Sequence, residues 1–340
     1  MSGNAVFRFS DTSVLSVASV DATRVVTSTE FDERLSDTYE RVGLRPGLLE
    51  TRAGIRERRW WSEGVTYADG AAMAGAKALA QSGTDPADVG VMINTSVSRA
   101  HLEPSTAVAV HDALGLAPHC LNFDITNACL GFVNGMQVAG TMIDSGQIDY
   151  ALIVNGEDAQ AVQEATLARL GESDTTAAEV MGNFATLTLG SGAAAMVLGR
   201  TSRHPEGHPV VGGVTRASTE HHQLCVGGVE KMSTDARKLL EAGMDLSADL
   251  WADAAEHFDW ADGMDRYVSH QVSQIHTDAM CRRLGIDPAR VPTTFPTRGN
   301  IGPASVPYTL AAQTDLEPGD RVLLMGIGSG LNACCTEVRW

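Results

Sequence analysis

The chain has few basic residues for its size. Among its 340 residues, 25 Lys and Arg stand against 42 Asp and Glu, a formal net charge of −17. A protein that follows a nucleic-acid backbone needs a basic surface, so this composition excludes a general nucleic-acid binder. It leaves room for an anionic small molecule bound by a local group of arginines. Hydrophobic residues make up 44% of the chain, which excludes disorder and indicates an extensive core.

The sequence also lacks long apolar runs and any cysteine framework. No apolar stretch reaches the roughly 18 residues that a membrane-spanning helix needs. Residues 1–22 contain no basic segment of the kind that opens a secretory signal, and they carry Asp11 in their middle. The six cysteines show no CxxC spacing, and adjacent Cys334 and Cys335 would pair badly. We therefore expect a reduced, cytoplasmic protein with no membrane span and no structural metal.

Short apolar segments alternate with helix-forming segments along the chain. The pattern predicts strands over residues 89–94, 120–125, 150–154 and 193–198, and helices over residues 71–81 and 128–143. Such alternation is typical of parallel strands joined by crossover helices, so the predicted fold class is α/β.

Two short motifs recur about half a chain apart. LGLAP at 114–118 is matched by LGIDP at 284–288, and DYALIV at 149–154 by DRVLLM at 320–325. Because both pairs have nearly the same offset, they predict a duplicated α/β unit, with an N-terminal half over residues 1–200 and a C-terminal half over residues 201–340. Each copy of the first motif is predicted to lead into a short strand, the second over residues 292–295. Residues 158–186 are predicted to be an insertion that covers a site.

Cys129 is a candidate nucleophile. It follows the predicted strand at 120–125 and lies at the start of an uncharged predicted helix. Unpaired N–H groups and the positive end of the helix dipole stabilise a thiolate at such a position. The alternative is a buried structural cysteine that packs like a small hydrophobe, and position alone favours that alternative.

A cysteine nucleophile needs acid–base or oxyanion partners, and two candidates follow predicted strands. His270 comes directly after one, with His276 on the next predicted helix. Asn300 lies in a glycine-rich loop after the strand predicted at 292–295, where a plain turn residue is the alternative. In the repeat, Cys129 and Asn300 occupy matching places, so both are expected to converge on one site.

A glycine-rich segment and a group of arginines suggest nucleotide binding. Residues 326–330, GIGSG, are not a dinucleotide fingerprint, because too little chain follows for the required helix and acidic residue. A tight turn that offers backbone N–H groups to an oxyanion fits better. Four arginines, next to Trp60 and Trp61, are either a solvated face or a site for a nucleotide phosphate and adenine; they are Arg52, Arg56, Arg58 and Arg59.

Together these motifs resemble β-ketoacyl-(acyl carrier protein) synthase III and its thiolase-superfamily relatives. The matching segments cover essentially the whole chain in order: Ala128-Cys129, 190–195, His270-Gln271, 299–307 and 328–330. Segments 94–99, 102–107, 127–130 and 299–307 are more similar still to the OleA-type fatty acyl-CoA condensing enzymes. The resemblance implies the five-layered αβαβα thiolase fold, built from two similar halves and working as a homodimer.

The resemblance also implies roles for individual residues. Cys129 takes the first acyl group from CoA, while His270 and Asn300 hold the thioester carbonyl of the second substrate. The backbone N–H groups of Cys129 and Ser329 form the other oxyanion hole. Arg52 lies where the synthase family contacts the adenine end of CoA. No cofactor is implied beyond the CoA thioesters that serve as substrates.

Glu103 is the residue that distinguishes the OleA-type enzymes, in which it reaches across the dimer into the neighbouring site. By itself it is only an acidic residue near a predicted helix start, where its negative charge interacts favourably with the positive end of the helix dipole. Joining two acyl-CoAs without loss of CO₂ requires the removal of an α proton, however, and a desolvated carboxylate with a raised pKa can take it.

The resemblance therefore implies an acyltransferase that condenses two long-chain acyl-CoAs head to head, without decarboxylation, to a 2-alkyl-3-ketoacid. Further enzymes of an olefin or ketone pathway would then be its partners. Two alternatives stay open: a decarboxylating β-ketoacyl-(acyl carrier protein) synthase III, and one subunit of a heterodimeric condensing enzyme of a β-lactone pathway. Ser273 and Ser329 depart from the synthase pattern, which weakens the first alternative.

Overall fold

A ten-stranded mixed β-sheet with helices on both faces forms the framework of the protein, as described by a computed structural model for residues 5–228, 231–261 and 263–340. The strands, two short hairpins included, are β1 Val6–Arg8, β2 Thr12–Asp21, β3 Arg24–Thr27, β4 Glu57–Trp60, β5 Val89–Asn94, β6 Leu121–Asp124, β7 Tyr150–Glu157, β8 Gly192–Arg200, β9 His208–Ala217, β10 Cys225–Gly227, β11 Met232–Thr234, β12 Arg266–Ser269, β13 Arg321–Gly328 and β14 Asn332–Arg339. The helices are α1 Ser28–Arg34, α2 Ser36–Val42, α3 Tyr67–Ser82, α4 Thr106–Ala113, α5 Gly131–Asp144, α6 Gln160–Leu170, α7 Ala177–Gly182, α8 Phe184–Leu187, α9 Ala236–Ala255, α10 Gln274–Leu284, α11 Phe295–Arg298 and α12 Ser305–Ala311.

The strand order shows two similar halves. It runs β12-β13-β14-β9-β2-β8-β7-β5-β6, with β1 paired to β9. In each half a parallel pair, β5–β7 or β12–β13, is followed by an antiparallel neighbour, β8 or β14. The halves join where β2 pairs with β9, and only two residue pairs, Ser13↔Pro209 and Val14↔His208, form that junction. The boundary at residue 200 itself stays a prediction.

Three apolar clusters stack the helices and the two halves of the sheet into five layers. The central cluster places α5 and α12 between the halves, with Val133 and Met136 of α5 among side chains from both. On the outer face of the first half, α3 packs its alanines against Leu152 and Val197. On the outer face of the second half, α9 and α10 pack against Leu323. This arrangement is the predicted αβαβα order.

Most of the predicted elements are present with small shifts at their ends. The strand at 89–94 is β5 with the same bounds, and the helix predicted over 71–81 is α3, Tyr67–Ser82. Thr66 and Asp69 cap that helix at its start, and Gly83 ends it in a left-handed conformation. No helix in the described ranges is long and apolar enough to cross a membrane.

The strand predicted over residues 292–295 is wrong. Residues 291–294 form no strand, and Phe295 instead begins the short helix α11. Pro292 has no N–H to donate to a sheet. The side chain of Gln271 replaces a neighbouring strand here: its Nε2 donates to the Pro292 carbonyl at 3.2 Å and its Oε1 accepts the Thr294 N–H at 2.8 Å.

Candidate active site

Cys129 lies in a tight connection between β6 and α5. Ala128, just before it, has φ +45°, a left-handed conformation that non-glycine residues rarely adopt. The Asn127 carbonyl accepts the Leu130 N–H at 3.0 Å, which closes the turn. The Asn127 side chain donates to Asn134 Oδ1 at 2.8 Å and accepts from Asn332 Nδ2 at 3.2 Å, so the turn is tied to both α5 and β14. A sharp strand-to-helix turn of this kind presents its residue to a site.

Cys129 is half-buried, and the stabilisation of a thiolate that a helix start can give does not dominate there. Burial raises the pKa of the Cys129 thiol to about 12, and the negative charge of Glu157 and the nearby Cys225 add to the increase. The backbone hydrogen bond at the start of α5 opposes this effect and is outweighed. The side chain of Cys129 is therefore a neutral thiol around neutral pH.

His270 follows β12 directly, as predicted, and His276 lies on α10. The His270 N–H donates to the Met325 carbonyl at 2.8 Å, which extends the β12–β13 pairing by one residue. Its side chain is almost completely buried, and Nδ1 has no hydrogen-bond partner among the described residues. Burial lowers the pKa of His270 to about 3, with a smaller effect from His276. The imidazole is therefore neutral around neutral pH, and burial disfavours its protonated form.

Asn300 is held by a backbone bridge to the segment that follows α8. Its N–H donates to the Thr188 carbonyl and its carbonyl accepts the Gly190 N–H, each at 2.9 Å. The bridge requires glycine on both sides, because Gly299 has φ +66° and a Cβ at Gly190 would meet the Arg298 carbonyl. The Gly302 N–H donates to Asn300 Oδ1 at 3.0 Å, which leaves the Nδ2 amide group as the donor for a ligand.

The glycine-rich segment 326–330 is the end of β13 and a turn into β14, and no helix follows it. A dinucleotide fingerprint needs a helix at this place, and strand β14 occupies it instead. A Cβ at Gly328 would lie 2.9 Å from the Asn127 carbonyl oxygen and 3.1 Å from the Leu130 backbone nitrogen. Ser329 therefore comes next to the turn that carries Cys129, and its part in an oxyanion hole stays a prediction.

These contacts bring three of the predicted residues to one region. Gly328 of β13 abuts the turn that carries Cys129, and His270 is bonded to Met325 of the same strand. Residues 299–302, called the Asn300 loop below, join them through Glu157. A Cβ at Gly302 would lie 3.5 Å from the Glu157 carboxyl carbon, and the Glu157 charge in turn acts on the Cys129 thiol.

Glu103 lies apart from this region, on the surface. It belongs to residues 97–105, the later part of the connection from β5 to α4, which are called the Glu103 loop below. Glu103 is exposed, and its neighbour Leu102 is 99% exposed. The desolvation expected for a general base is therefore absent in a single chain.

The group of arginines divides into an exposed and a buried part. Arg52 and Arg56 are exposed, Arg52 on a turn that ends against Phe295 and the start of α10. Arg58 is completely buried, with its guanidinium 4.6 Å from the Phe31 ring centroid, and burial lowers the pKa of Arg58 to about 10. Trp60 and Trp61 are buried as well. Nucleotide binding by the whole group is therefore wrong, and only the exposed arginines are available to a ligand.

The segment 158–186 forms α6, α7 and part of α8. It packs against α1, α2 and Trp60 in a separate apolar cluster, with Leu167 and Val180 buried there. Its end leads into Thr188, which bonds the Asn300 loop. The segment is thus connected in sequence to the partner of Asn300, and that it covers a site stays a prediction.

Glu157 is the residue that the sequence pattern did not reveal. It ends β7 and its side chain is 7% exposed. Burial raises the pKa of the Glu157 carboxyl, opposed by hydrogen bonds from Ser98 and Val97. An acidic residue at the end of an apolar strand resembles an ordinary turn residue in the sequence, so no local signal marks it.

Comparison with known proteins identifies the family. Models of 3-oxoacyl-[acyl-carrier-protein] synthase III match residues 123–217, and models of its C-terminal part match residues 260–340. The acyl-CoA:acyl-CoA alkyltransferase of Xanthomonas campestris is 46% identical, over 98% of this chain and 99% of its own length. That of Shewanella oneidensis is 34% identical, over 93% and 95%. A β-ketoacyl-[acyl-carrier-protein] synthase III of Rhodospirillum rubrum is 30% identical, over 86% and 90%.

Solved structures agree. A cysteine-to-serine variant of Xanthomonas campestris OleA with bound lauric acid and lauroyl-CoA has a TM-score of 0.95 at 45% identity, covering 98% of this chain and all of that one (100%). Cerulenin-bound OleA of the same organism has a TM-score of 0.96 at 45% identity, covering 98% of each chain. The chain has the thiolase-like fold of the synthase III enzymes, and it belongs to the OleA family of acyl-CoA:acyl-CoA alkyltransferases.

Proposed function

We propose that the protein joins two long-chain acyl-CoAs head to head in a non-decarboxylative Claisen condensation, through an acyl group carried on Cys129. The observation that carries this proposal is the meeting of Cys129, His270 and the Asn300 loop at one end of the two half-sheets, in a member of the OleA family. The product is a 2-alkyl-3-ketoacid that enters olefin or ketone biosynthesis.

In the first half-reaction the sulfur of Cys129 attacks the thioester carbonyl of one acyl-CoA. The thiol proton passes by way of the neutral imidazole of His270 to the sulfur of the CoA that leaves, so no thiolate–imidazolium pair has to persist in the buried site. The negative oxygen of the tetrahedral intermediate is stabilised by the backbone N–H groups of Cys129 and Ser329. The products are an acyl-enzyme and one free CoA.

In the second half-reaction a base removes an α proton from another acyl-CoA. His270 and Asn300 Nδ2 donate hydrogen bonds to the enolate oxygen that results. The α carbon attacks the Cys129 thioester and expels the cysteine thiolate, which takes back the proton held by the base. Water then hydrolyses the remaining CoA thioester, so each turnover releases two CoA molecules and one ketoacid.

Glu103 is the base in this proposal, supplied by the partner of a homodimer. Support comes from the surface around it: β6 is an edge strand with Leu121 49% exposed, and Leu102, Val97 and Val108 are exposed on neighbouring segments. An unpaired strand edge beside exposed apolar side chains is a surface suited to self-association. Covering that surface would bury Glu103, which a base requires.

Arg52 is proposed to bind the phosphates of CoA. It is exposed on the turn that packs against α10 and Phe295, on the His270 side of the molecule. In a chain with a net charge of −17, an exposed arginine beside the site offsets the general repulsion of an anionic substrate.

The test measures CoA release by the purified protein from one saturated long-chain acyl-CoA, with mass spectrometry of the organic extract. A 2-alkyl-3-ketoacid, or the ketone that forms when it loses CO₂, is expected without any malonyl donor. Cys129→Ala is expected to abolish both CoA release and product. Product that appears only with a malonyl thioester, together with release of labelled CO₂, would instead identify a decarboxylating synthase.

The same assay separates the heterodimer alternative. Release of CoA with only free fatty acid as product would mean that Cys129 is acylated but that the isolated chain lacks a partner for condensation. The chain would then be one subunit of a heterodimeric condensing enzyme.

A further inference from the structure

Glu157 is a buried carboxylate to which the condensation described above assigns no task. Its Oε1 accepts the Val97 N–H at 2.7 Å. Its Oε2 accepts the Ser98 N–H at 3.0 Å and the Ser98 hydroxyl at 2.7 Å. The side chain of Asn155, on the same strand, also stabilises the charged form of Glu157 and so opposes the rise in its pKa. Both oxygens are therefore directed to two consecutive residues.

Those two residues are the start of the Glu103 loop. The Ser98 hydroxyl also accepts the Asp158 N–H at 2.9 Å, so the loop is fixed to the end of β7 by side chain and backbone together. At the other end, Asp124 accepts the N–H groups of Thr106 and Ala107 at 3.0 and 2.9 Å. A carboxylate thus holds each end of the loop, and Glu103 projects between them.

The other side of Glu157 faces the pocket of its own chain. A Cβ at Gly302 would lie 3.5 Å from the Glu157 carboxyl carbon, and the carboxylate acts electrostatically on Cys129. Glu157 therefore lies between the Asn300 loop and the Glu103 loop. Its three hydrogen bonds from Val97 and Ser98 go to the Glu103 loop.

A carboxylate is required for these contacts. Burying a charged group is costly unless hydrogen bonds compensate it, and here three donors of the loop converge on two acceptor oxygens. A glutamine of the same shape has one acceptor oxygen, and its NH₂ group would face an N–H donor of Val97 or Ser98. The loop would then have to move from its present position.

We propose that Glu157 is a positioning residue for the condensation: by holding Val97 and Ser98 it sets the position from which Glu103 enters the partner's site. This inference rests on the proposed role of Glu103 across the dimer. It implies that loss of Glu157 impairs the site of the other protomer more than its own.

The first experiment compares Glu157→Gln with the wild type for two quantities: the acyl-enzyme formed on Cys129, and the condensed product per acyl-enzyme. The product per acyl-enzyme is expected to fall by about tenfold or more, since a displacement of about 1 Å can cost about a hundredfold in rate. Acyl-enzyme formation is expected to persist. Equal loss of both quantities would overturn the proposal.

Glu337→Gln is the matched control. Glu337 is also a buried carboxylate, 2% exposed, but it pairs with Arg321 at 2.9 Å and accepts from Trp260 at 2.8 Å in the second half-sheet. This variant is expected to lower the melting temperature while leaving the product per acyl-enzyme unchanged. Any general effect of removing a buried charge would appear in both variants.

Mixed dimers, made by co-expressing two differently tagged chains, decide which site Glu157 serves. In one dimer, Glu157→Gln is combined with Cys129→Ala in one chain, and the other chain is wild type, so the only working cysteine faces the altered loop. In the reciprocal dimer, Cys129→Ala and Glu157→Gln lie on different chains. Condensation is expected to fall in the first dimer and persist in the second; the reverse pattern would overturn the proposal.

Two further variants keep failures distinguishable. Ser98→Ala removes one donor to Glu157 without touching a buried charge, and it is expected to reduce condensation in the same direction by a smaller factor, even if Glu157→Gln folds poorly. Glu103→Gln is measured alongside. If Glu103→Gln retains full condensation, the proposed base is wrong; if it fails while Ser98→Ala and Glu157→Gln remain fully active, only the positioning role is wrong.

Discussion

At the scale of single residues, the site pairs a neutral thiol with a neutral imidazole. Burial raises the pKa of Cys129 to about 12 and lowers the pKa of His270 to about 3. Around neutral pH the pair is therefore uncharged before substrate binds. A low-dielectric site that holds no ion pair in its resting state suits a long apolar acyl chain.

Alkylation of Cys129 tests this state. Because the thiolate is the reactive form, the rate of modification by iodoacetamide is expected to rise roughly tenfold per pH unit from about pH 7 to 9, without a plateau. The modified peptide is followed by mass spectrometry, with Cys129→Ala as the control that assigns it. A modification rate that stops rising below about pH 8 would show that the N-terminal end of α5 stabilises the thiolate after all.

Two buried histidines make the free energy of unfolding depend on pH in the acidic range. Burial lowers the pKa of His270 to about 3 and that of His276 to about 4, below the ordinary value of 6.5. The unfolded chain therefore binds protons first as the pH falls. The stability from these groups is complete above pH 6.5 and is lost as the pH falls toward those lowered values, with a slope of up to about 1.4 kcal/mol per pH unit for each histidine.

His270→Asn is expected to make the free energy of unfolding less dependent on pH between about 4.5 and 6.5, because one titrating group is removed. Denaturant unfolding at several pH values measures the slope directly. His257→Asn provides the control, since His257 lies outside the site. An unchanged slope in His270→Asn would mean that His270 does not titrate on unfolding in this range.

At the scale of elements, the backbone bridge between Leu189 and Asn300 positions the amide of Asn300. A Cβ at Gly190 would meet the Arg298 carbonyl, so Gly190→Ala must open the bridge. We expect condensation to fall by about tenfold or more while Cys129 is still acylated, because the proposed role of Asn300 is to bind only the second substrate. Gly182→Ala is the control, since a Cβ there has nothing within 4 Å. Both products and acyl-enzyme are measured by mass spectrometry, and equal loss of the two would contradict the assignment of Asn300.

The elements also show what the sequence could predict. Strand β5 and helix α3 were predictable because an apolar run and an alanine-rich stretch with a glycine stop each report a local preference. The structure of residues 292–295 was not predictable, because they bond to the side chain of Gln271 and not to a neighbouring strand. Gln271 lies more than twenty positions away in the sequence. Cys129 and His270 were recognisable because they follow strands, and Asn300 because of its glycine-rich loop, although the helix α11 and not a strand precedes it. Glu157 and Arg58 derive their environments from tertiary contacts alone.

At the scale of the whole molecule, a single chain has its proposed nucleophile half-buried and its proposed base on the surface. Glu103 is exposed beside Leu102, which is 99% exposed, and both adjoin the region of the unpaired edge of β6. An exposed carboxylate in water is a poor base for an α proton, so the site is complete only if a second chain covers this surface. Two active sites in a symmetric dimer would then each draw residues from both chains.

Mixed dimers test that arrangement directly. A chain with Cys129→Ala and a chain with Glu103→Ala are each expected to be inactive as homodimers. When co-expressed and isolated as a mixed dimer, they place one intact Cys129 opposite one intact Glu103, so about half of the wild-type condensation rate per dimer is expected. If Glu103 acted within its own chain, neither site of the mixed dimer would hold both residues, and no condensation would appear. Recovery of activity in the mixed dimer therefore requires both a dimer and a base that crosses its interface.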